Sequence, residues 1–237
     1  MTCEKLTRWV CVLLVAGLCS CDKAVETGGE AGVKPAADAN AAKEPDGEQW
    51  IALFDGESLK GWKVPKFGGD GKVHVKDGVL HIEMGDMCTG ITYVEDDANA
   101  PVKKLPREDY EIEVETMRAE GDDFFCGLTF PVGKDYISLI PDGWAGAVTG
   151  LSCLDDFDAS LNETTQDVEF KNNKWYRLRA RVTKTHITCW VDDKQIINVA
   201  RKGRKINVRG EVEDCCPLGI ATWQTHGAIR GIWLRKL

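Results

Sequence analysis

The sequence predicts an all-β protein, a sandwich or jelly roll built from two antiparallel sheets. Three observations lead to this fold class. About a dozen short segments alternate apolar and polar residues with a period of two, and turn-forming residues separate them at regular spacing. No long helical pattern interrupts them. One domain over residues 50–237 has a length suited to a single sandwich.

The strands are clearest where a turn signal divides two alternating runs. Lys72–Lys76 and Val79–Met84 flank an Asp-Gly dipeptide, which is typical of two-residue hairpin turns. Trp175–Thr183 places its tryptophan and three arginines on one face and apolar side chains on the other. The other predicted strands are Gly90–Val94, Tyr110–Thr116, Phe124–Phe130, Tyr136–Ile140, His186–Val191, Gln195–Val199, Leu218–Trp223 and Ile229–Leu234. Two longer loops, 98–109 and 152–173, are candidates for function because long loops in compact domains often carry it.

The first twenty residues resemble a bacterial lipoprotein signal. Two basic residues precede the apolar run Val10–Leu18, which is shorter than the roughly 20 residues that span a bilayer. Leu-Cys-Ser-Cys at 18–21 is similar to a lipobox, so Cys21 would carry the lipid; cleavage near Ser20 without a lipid is the alternative. Residues 21–49 are polar, lack aromatic side chains and predict a disordered tether. An exported protein is expected, anchored to a membrane of the cell envelope in the periplasm or at the cell surface.

Charge and cysteine content limit the partners. The chain has 38 acidic and 30 basic residues, and this net charge of -8 argues against a nucleic-acid partner. Six cysteines in the domain are able to form disulfides after export, but the sequence does not fix their pairing. Their spacing lacks paired CxxC motifs, so no zinc site is expected. These cysteines are Cys88, Cys126, Cys153, Cys189, Cys215 and Cys216.

No cofactor is expected from the sequence. The segment Asp156–Asp167 carries oxygen-bearing side chains at the spacing of a calcium loop. Leu161 occupies the position where that loop needs glycine, which argues against an EF-hand-like site. A calcium site of another kind in this acidic segment stays open.

Both ends of the domain resemble the 3-keto-disaccharide hydrolase domain family. Trp50–Trp62 reads WIALFDGESLKGW, which is similar to the family's opening L-F-D-G-x-S-L-x-G-W. Residues 224–227 read QTHG and are followed by IRGIWLRKL, which is similar to the family's Q-x-H-G and F-R-N-I-x-I-K-x-L. The resemblance covers nearly all of residues 50–237. It implies a concanavalin-like jelly roll and chemistry on 3-keto-glycosides.

Two groups of residues are candidates for catalysis. Glu111, Glu113 and Glu115 alternate in EIEVE, so they share one face of a strand at roughly 6.6 Å between neighbouring Cα atoms. Glycosidases use two carboxylates at comparable separations as acid and base. The alternative is that the three glutamates cover the solvated face of a sheet. His226, in the Q-x-H-G motif, is able to move protons near neutral pH or to hold a turn. We take Glu113, Glu115 and His226 as candidate catalytic residues.

Five further residues are candidates for binding the substrate. Trp144 follows a Pro-Asp-Gly turn, Trp223 adjoins Gln224, and either indole could stack on a sugar ring. Gln224 could bond a sugar hydroxyl. Arg118 could contact an anionic group or pair with a glutamate, and Glu111 adjoins the catalytic pair.

Three functions remain open on this basis. The preferred one is a lipid-anchored enzyme that hydrolyses or eliminates the glycosidic bonds of 3-keto-glycosides. The second is a non-catalytic carbohydrate-binding module of the cell envelope, and the third is a structural envelope protein. The expected partners are a carbohydrate and, through the lipid, a membrane.

Overall fold

The computed structural model describes residues 42–47 and 49–237. The predicted signal peptide 1–20, Cys21 and most of the predicted tether lie outside the described residues. Lipid anchoring therefore stays a prediction. Within the described ranges, no helix has the length and apolar character needed to cross a membrane.

The described strands form two antiparallel sheets, and the predicted jelly-roll sandwich is confirmed. One sheet contains β1 (Ile51–Ala52), β3 (Val73–Lys76), β4 (Val79–Ile82), β6 (Tyr110–Glu120), β10 (Trp175–Val182), β11 (His186–Val191), β12 (Lys194–Ala200) and β14 (His226–Lys236). The other contains β2 (Trp62–Lys63), β5 (Cys88–Tyr93), β7 (Gly127–Val132), β8 (Asp135–Asp142), β9 (Val148–Ser152) and β13 (Gly219–Trp223). The eight-stranded order is β12-β11-β10-β6-β14-β4-β3, with β1 beside β14, and the six-stranded order is β2-β5-β13-β7-β8-β9. A helical turn, α1 (Gly143–Gly146), and a 3₁₀ helix (Gly210–Cys215) complete the elements.

Local chemistry explains the predicted hairpin. Asp77 and Gly78 both have positive φ, 52° and 79°, as the two-residue turns that suit twisted strands require. β3 and β4 pair on either side of it. β10 also alternates as predicted, with every second residue buried. β9 was not predicted as a strand, because its short, polar sequence lacks an alternating apolar pattern.

The main core lies between the two sheets. Inward side chains such as Ile91, Leu139 and Ile220 from the six-stranded sheet belong to one buried cluster with Ile112 and Leu178 of the other sheet. A smaller cluster lies under the 3₁₀ helix and contains Cys88, Val212, Cys215 and Ala221. The six domain cysteines, all within the described part of the chain, are unpaired.

The opening motif has a structural explanation. Asp55 Oδ1 accepts hydrogen bonds from the backbone N–H groups of Glu57 and Ser58, which closes the turn. The buried Trp62 indole donates to the carbonyl of Leu53 at 2.8 Å. The motif therefore fastens the start of the domain to the core.

The acidic loop is fastened by basic side chains. Arg204 pairs with Asp155 at 2.6 Å and with Glu163, and Lys205 pairs with Asp156 at 2.7 Å. Within the described residues, no group of three or more His, Cys, Asp or Glu side chains is arranged to hold a metal ion.

Candidate functional site

A groove lies on the outer face of the six-stranded sheet. Along each strand, the residues that line it alternate with residues of the main core: Ser138 and Ile140 of β8, for example, are neighbours of the core residue Leu139. The cavity has a volume of about 240 Å³. Its lining residues are Cys88, Asp123, Phe124, Ser138, Ile140, Trp144, Ser152, Arg209, Glu211, Val212 and Trp223.

The topology brings strand ends together at one rim of this groove. β13 and β8 are both antiparallel to β7, so they run in the same direction and their C-terminal ends lie on the same side of the sheet. Trp223 ends β13, and Trp144 lies in α1 directly after β8. Two of the predicted sugar-binding residues therefore line one groove, and the Trp144 side chain is 39% exposed there.

Two carboxylates line the groove. Asp123 accepts hydrogen bonds from the backbone N–H of Phe124 at 2.7 Å and from that of Ala145 at 2.9 Å. Glu211 is bonded by Arg209 at 2.6 Å, and this bond holds the pKa of Glu211 below its ordinary value. Glu211 is therefore ionised at neutral pH.

The Cys88 thiol lines the same groove. Burial, followed by the negative charges of Glu211 and Asp123, raises the pKa of Cys88 to about 11. Cys88 consequently remains a protonated thiol near neutral pH and is a poor nucleophile.

Arg118 lies outside the groove. It lies near the end of β6 in the opposite sheet, and its buried guanidinium pairs with Asp142, contacts Asn172 and donates to the carbonyl of Phe170 at 3.1 Å. Direct contact with a substrate, as the sequence suggested, is therefore not supported. Its partner Asp142 immediately precedes the turn that carries Trp144.

The three alternating glutamates lie on the outer face of the eight-stranded sheet, away from the groove. Each is paired with arginines of neighbouring strands. Glu111 binds Arg181 and Arg235, Glu113 lies 3.5 Å from Arg177, and Glu115 binds Arg230 at 2.7 Å. Burial raises the pKa of Glu113, while Arg177 and Arg179 act in the opposite direction. The alternative reading of a sheet face covered by charged residues describes this arrangement better than a catalytic pair does.

His226 does not meet these glutamates. It pairs with Glu120 in the ladder between β14 and β6, whereas Glu115 pairs with Gly231. Five residues of strand separate Glu115 from Glu120, which is roughly 16 Å. The structure therefore does not bring the candidate catalytic residues Glu113 and Glu115 together with His226 around one bond.

His226 instead belongs to a cluster of three histidines. Its Nε2 lies 3.1 Å from Nδ1 of His81, and the His81 ring stacks on His74 at 5.1 Å between centroids. Burial lowers the pKa of His81 and His226. Gln224 holds the preceding turn, because its side-chain amide donates to the carbonyl of Asp86 at 2.8 Å. Neither His226 nor Gln224 lines the groove.

Sequence reasoning missed Asp123, Arg209 and Glu211. Asp123 follows the end of β6 in a Gly-Asp-Asp turn, which was a usable signal for a polar strand end. Arg209 precedes and Glu211 lies in a 3₁₀ helix without apolar periodicity, so only the fold brings them over the sheet.

Comparisons with known proteins agree with this architecture. Residues 49–235 match the model of a family described as the 3-keto-alpha-glucoside-1,2-lyase-like domain. Comparison with curated proteins finds no match.

Solved structures with the same fold include proteins that bind or process carbohydrates. The carbohydrate binding module CBM66 from Bacillus subtilis is 12% identical with a TM-score of 0.51, covering 76% of this chain and 98% of that one. The beta-glucanase of Bacillus licheniformis is 9% identical with a TM-score of 0.53, covering 79% and 97%. The apo Crh5 transglycosylase is 12% identical with a TM-score of 0.52, covering 79% and 83%. At these identities the similarity shows the shared fold.

Proposed function

The chain belongs to the 3-keto-alpha-glucoside-1,2-lyase-like domain family, and on that premise we propose that it cleaves the glycosidic bond of 3-keto-glycosides in the groove of the six-stranded sheet. The observation that carries the proposal is the groove itself. Two tryptophans, two carboxylates and an arginine converge there on one sugar-sized cavity. Aromatic faces suit the apolar face of a pyranose, and carboxylates suit proton transfer.

The chemistry follows from the ketone at C3 of the sugar. A carbonyl acidifies the hydrogen on the neighbouring carbon, C2, so a carboxylate is a sufficient base once it is well placed. Removal of the C2 proton gives an enolate. The enolate then forms the C1=C2 double bond and expels the glycosidic oxygen, which takes up a proton and leaves as an alcohol.

The groove residues take roles in this step. Glu211 is ionised and Asp123 lines the same groove, so one accepts the C2 proton and either returns a proton to the leaving oxygen. The Arg209 guanidinium is the positive group able to stabilise the enolate oxygen. Trp144 and Trp223 hold the ring. Addition of water to the unsaturated product would complete a net hydrolysis.

A non-catalytic carbohydrate-binding function is the second candidate. One observation favours it: Glu211 is already bonded by Arg209, and Asp123 already accepts two backbone N–H bonds. Partnered carboxylates are suited to fixing sugar hydroxyls as well as to proton transfer. The two functions share the groove and differ in turnover.

The test uses residues 42–237 and a panel of 3-keto-glucosides with their parent disaccharides. We expect release of the aglycone from the keto substrates, followed by NMR. Glu211→Gln or Asp123→Asn should lower kcat by roughly 10²–10⁴-fold, the usual contribution of a general base. Trp223→Ala should mainly raise KM. Glu113→Gln is the matched control, because it is the same substitution on the opposite outer face.

The outcomes separate the candidates. Turnover that is lost in the groove variants and kept in Glu113→Gln supports the enzyme. Saturable binding without turnover supports the binding module. Turnover lost in Glu113→Gln alone contradicts the assignment of the groove.

Export and lipid anchoring are part of the same proposal. They rest on the lipobox-like sequence at 18–21 and the polar tether that follows it. In the full chain, Cys21→Ser should move the protein from the membrane fraction to the soluble fraction and abolish labelling by a radioactive fatty acid. Unchanged membrane association would contradict the anchor.

A further inference from the structure

The turn that carries Trp144 has an unusual backbone. Asp142, Trp144 and Ala145 have φ values of 62°, 55° and 53°, in the left-handed region that side chains other than glycine rarely adopt. Such conformations persist only where the surroundings over-determine them, and they concentrate at functional sites. The turn therefore needs an identifiable restraint.

One restraint comes from the opposite sheet. The Asp142 carboxylate pairs with Arg118, and both side chains are more than nine-tenths buried. The Arg118 guanidinium is itself fixed on its other sides, by Asn172 Oδ1 and the carbonyl of Phe170, and it lies 5.9 Å from the centre of the Phe125 ring. The Arg118 side chain therefore connects the two sheets through a set of fixed contacts.

Two further restraints act on the backbone of the turn. The backbone N–H of Asp142 donates to Thr149 Oγ1 at 3.1 Å, and the backbone N–H of Ala145 donates to Asp123 Oδ2 at 2.9 Å. Asp123 is one of the two groove carboxylates, so the turn and the carboxylate fix each other. Trp144 lies between the two residues whose backbone is restrained in this way, Asp142 and Ala145.

We propose that the Arg118–Asp142 ion pair is a positioning device that locks the Trp144 indole at the mouth of the groove as a preformed surface for the sugar. This inference rests on the proposed function of the groove and adds to it. Arg118 and Asp142 are positioning residues that touch no substrate. Preforming the stacking surface removes the cost of ordering Trp144 when the sugar binds.

The test separates the ion pair from the backbone conformation. Asn tolerates the left-handed region about as well as Asp, so Asp142→Asn removes the charge and leaves the turn's intrinsic preference unchanged. Arg118→Lys keeps the charge and removes the planar fork that holds three partners. Arg181→Lys, on the opposite outer face, is the matched control.

The readouts are the ¹⁹F resonance of Trp144 in 5-fluorotryptophan-labelled protein and the kinetics with the keto substrate. In both variants we expect the Trp144 resonance to move towards the solvent-exposed position while the other tryptophan resonances stay in place. We expect KM to rise roughly 5- to 10-fold, with a smaller change in kcat. The control should change neither quantity.

The failure of this inference differs from the failure of the proposed function. An unchanged Trp144 resonance in both variants overturns the positioning role. A displaced resonance with an unchanged KM keeps the positioning role and overturns the use of Trp144 as a sugar surface. If Asp142→Asn does not fold, Arg118→Lys tests the ion pair by itself, because it leaves Asp142 and the sequence of the turn unchanged, and it is judged by the same two readouts.

Discussion

Glu111 is the most buried member of the charged layer on the outer face of the eight-stranded sheet. It is completely buried, and its two oxygens accept bonds from Arg181 Nε at 2.5 Å and Arg235 Nε at 2.6 Å. Glu111→Gln preserves the shape and removes the charge. It also turns an N–H donor towards one of the two guanidinium groups, which are donors only.

The expected loss of unfolding free energy in Glu111→Gln depends on how exposed Arg181 and Arg235 are. Removal of one member of a buried ion pair costs about 3–5 kcal/mol, because a charge is left without compensation. Arg181 and Arg235 are 38% and 23% exposed, so water partly replaces the lost partner. We therefore expect the low end of that range, about 3 kcal/mol of unfolding free energy. For a domain of this size, this corresponds to a fall in Tm of roughly 6–12 °C.

The assay is urea unfolding at pH 7, followed by tryptophan fluorescence, together with a thermal melt. Glu108→Gln is the matched control: Glu108 is 43% exposed and lies 3.4 Å from Arg201, so its loss should cost less than about 1 kcal/mol. Turnover or sugar binding in the groove should be unchanged by both substitutions. A loss of stability below about 1 kcal/mol for Glu111→Gln, or loss of activity at unchanged stability, would refute the structural reading of the glutamates.

Three more predictions concern the frame and the histidine cluster. Trp62→Phe leaves the buried carbonyl of Leu53 without its donor and should lower the unfolding free energy by about 1–3 kcal/mol, measured in urea. Gly90→Ala places a methyl group 2.4 Å from a carbonyl oxygen of the adjacent strand, so it should lower the unfolding free energy by about 1 kcal/mol or more. A smaller change in the midpoint of the urea transition would contradict this close approach. Burial lowers the pKa of His81 and His226 in the folded state, so protonation favours the unfolded state. The histidines therefore contribute their full stability above the ordinary histidine pKa near 6.5, and this contribution is lost as the pH falls from that value to the lowered pKa values of the folded state. His226→Gln should flatten this part of the plot of unfolding free energy against pH. An unaltered slope would count against the contribution of the histidine cluster.

The fold was predictable because its signals are local. Strand alternation and the Asp77-Gly78 turn depend on neighbouring residues, and both were confirmed. The shared face of Glu111 and its two alternating neighbours was also predicted correctly. The sequence did not decide between their two possible roles, because the arginines that neutralise them lie far along the chain: Arg181 and Arg235 are 70 and 124 residues from Glu111. A carboxylate's chemistry depends on its partners, and sequence spacing does not show partners at that distance.

The candidate site was predictable only where an aromatic residue marked it. Trp144 and Trp223 were identified as sugar-binding candidates, and both line the groove. Asp123 and Glu211 were not identified from the sequence, because only the order of the strands in the sheet places them at the same rim of the groove. Residues at strand ends are brought together by topology, which period-two patterns do not encode.

The residues proposed to act on the sugar therefore lie at the rim of the groove, and the strands beneath them form its support. The strand interiors beneath it contribute small side chains such as Ser138 and Ser152, which make room without supplying chemistry. Both carboxylates and one of the two indoles come from outside the strands: Asp123 precedes β7, Trp144 follows β8, and Glu211 lies in the 3₁₀ helix before β13, whereas Trp223 is the last residue of β13. Because loops tolerate change better than sheets do, the rim can exchange its carboxylates or aromatics while both sheets remain intact. The residues at the rim, including Trp223 at the end of β13, therefore decide whether a domain of this architecture cleaves a sugar or only binds it, and the residues inside the strands do not.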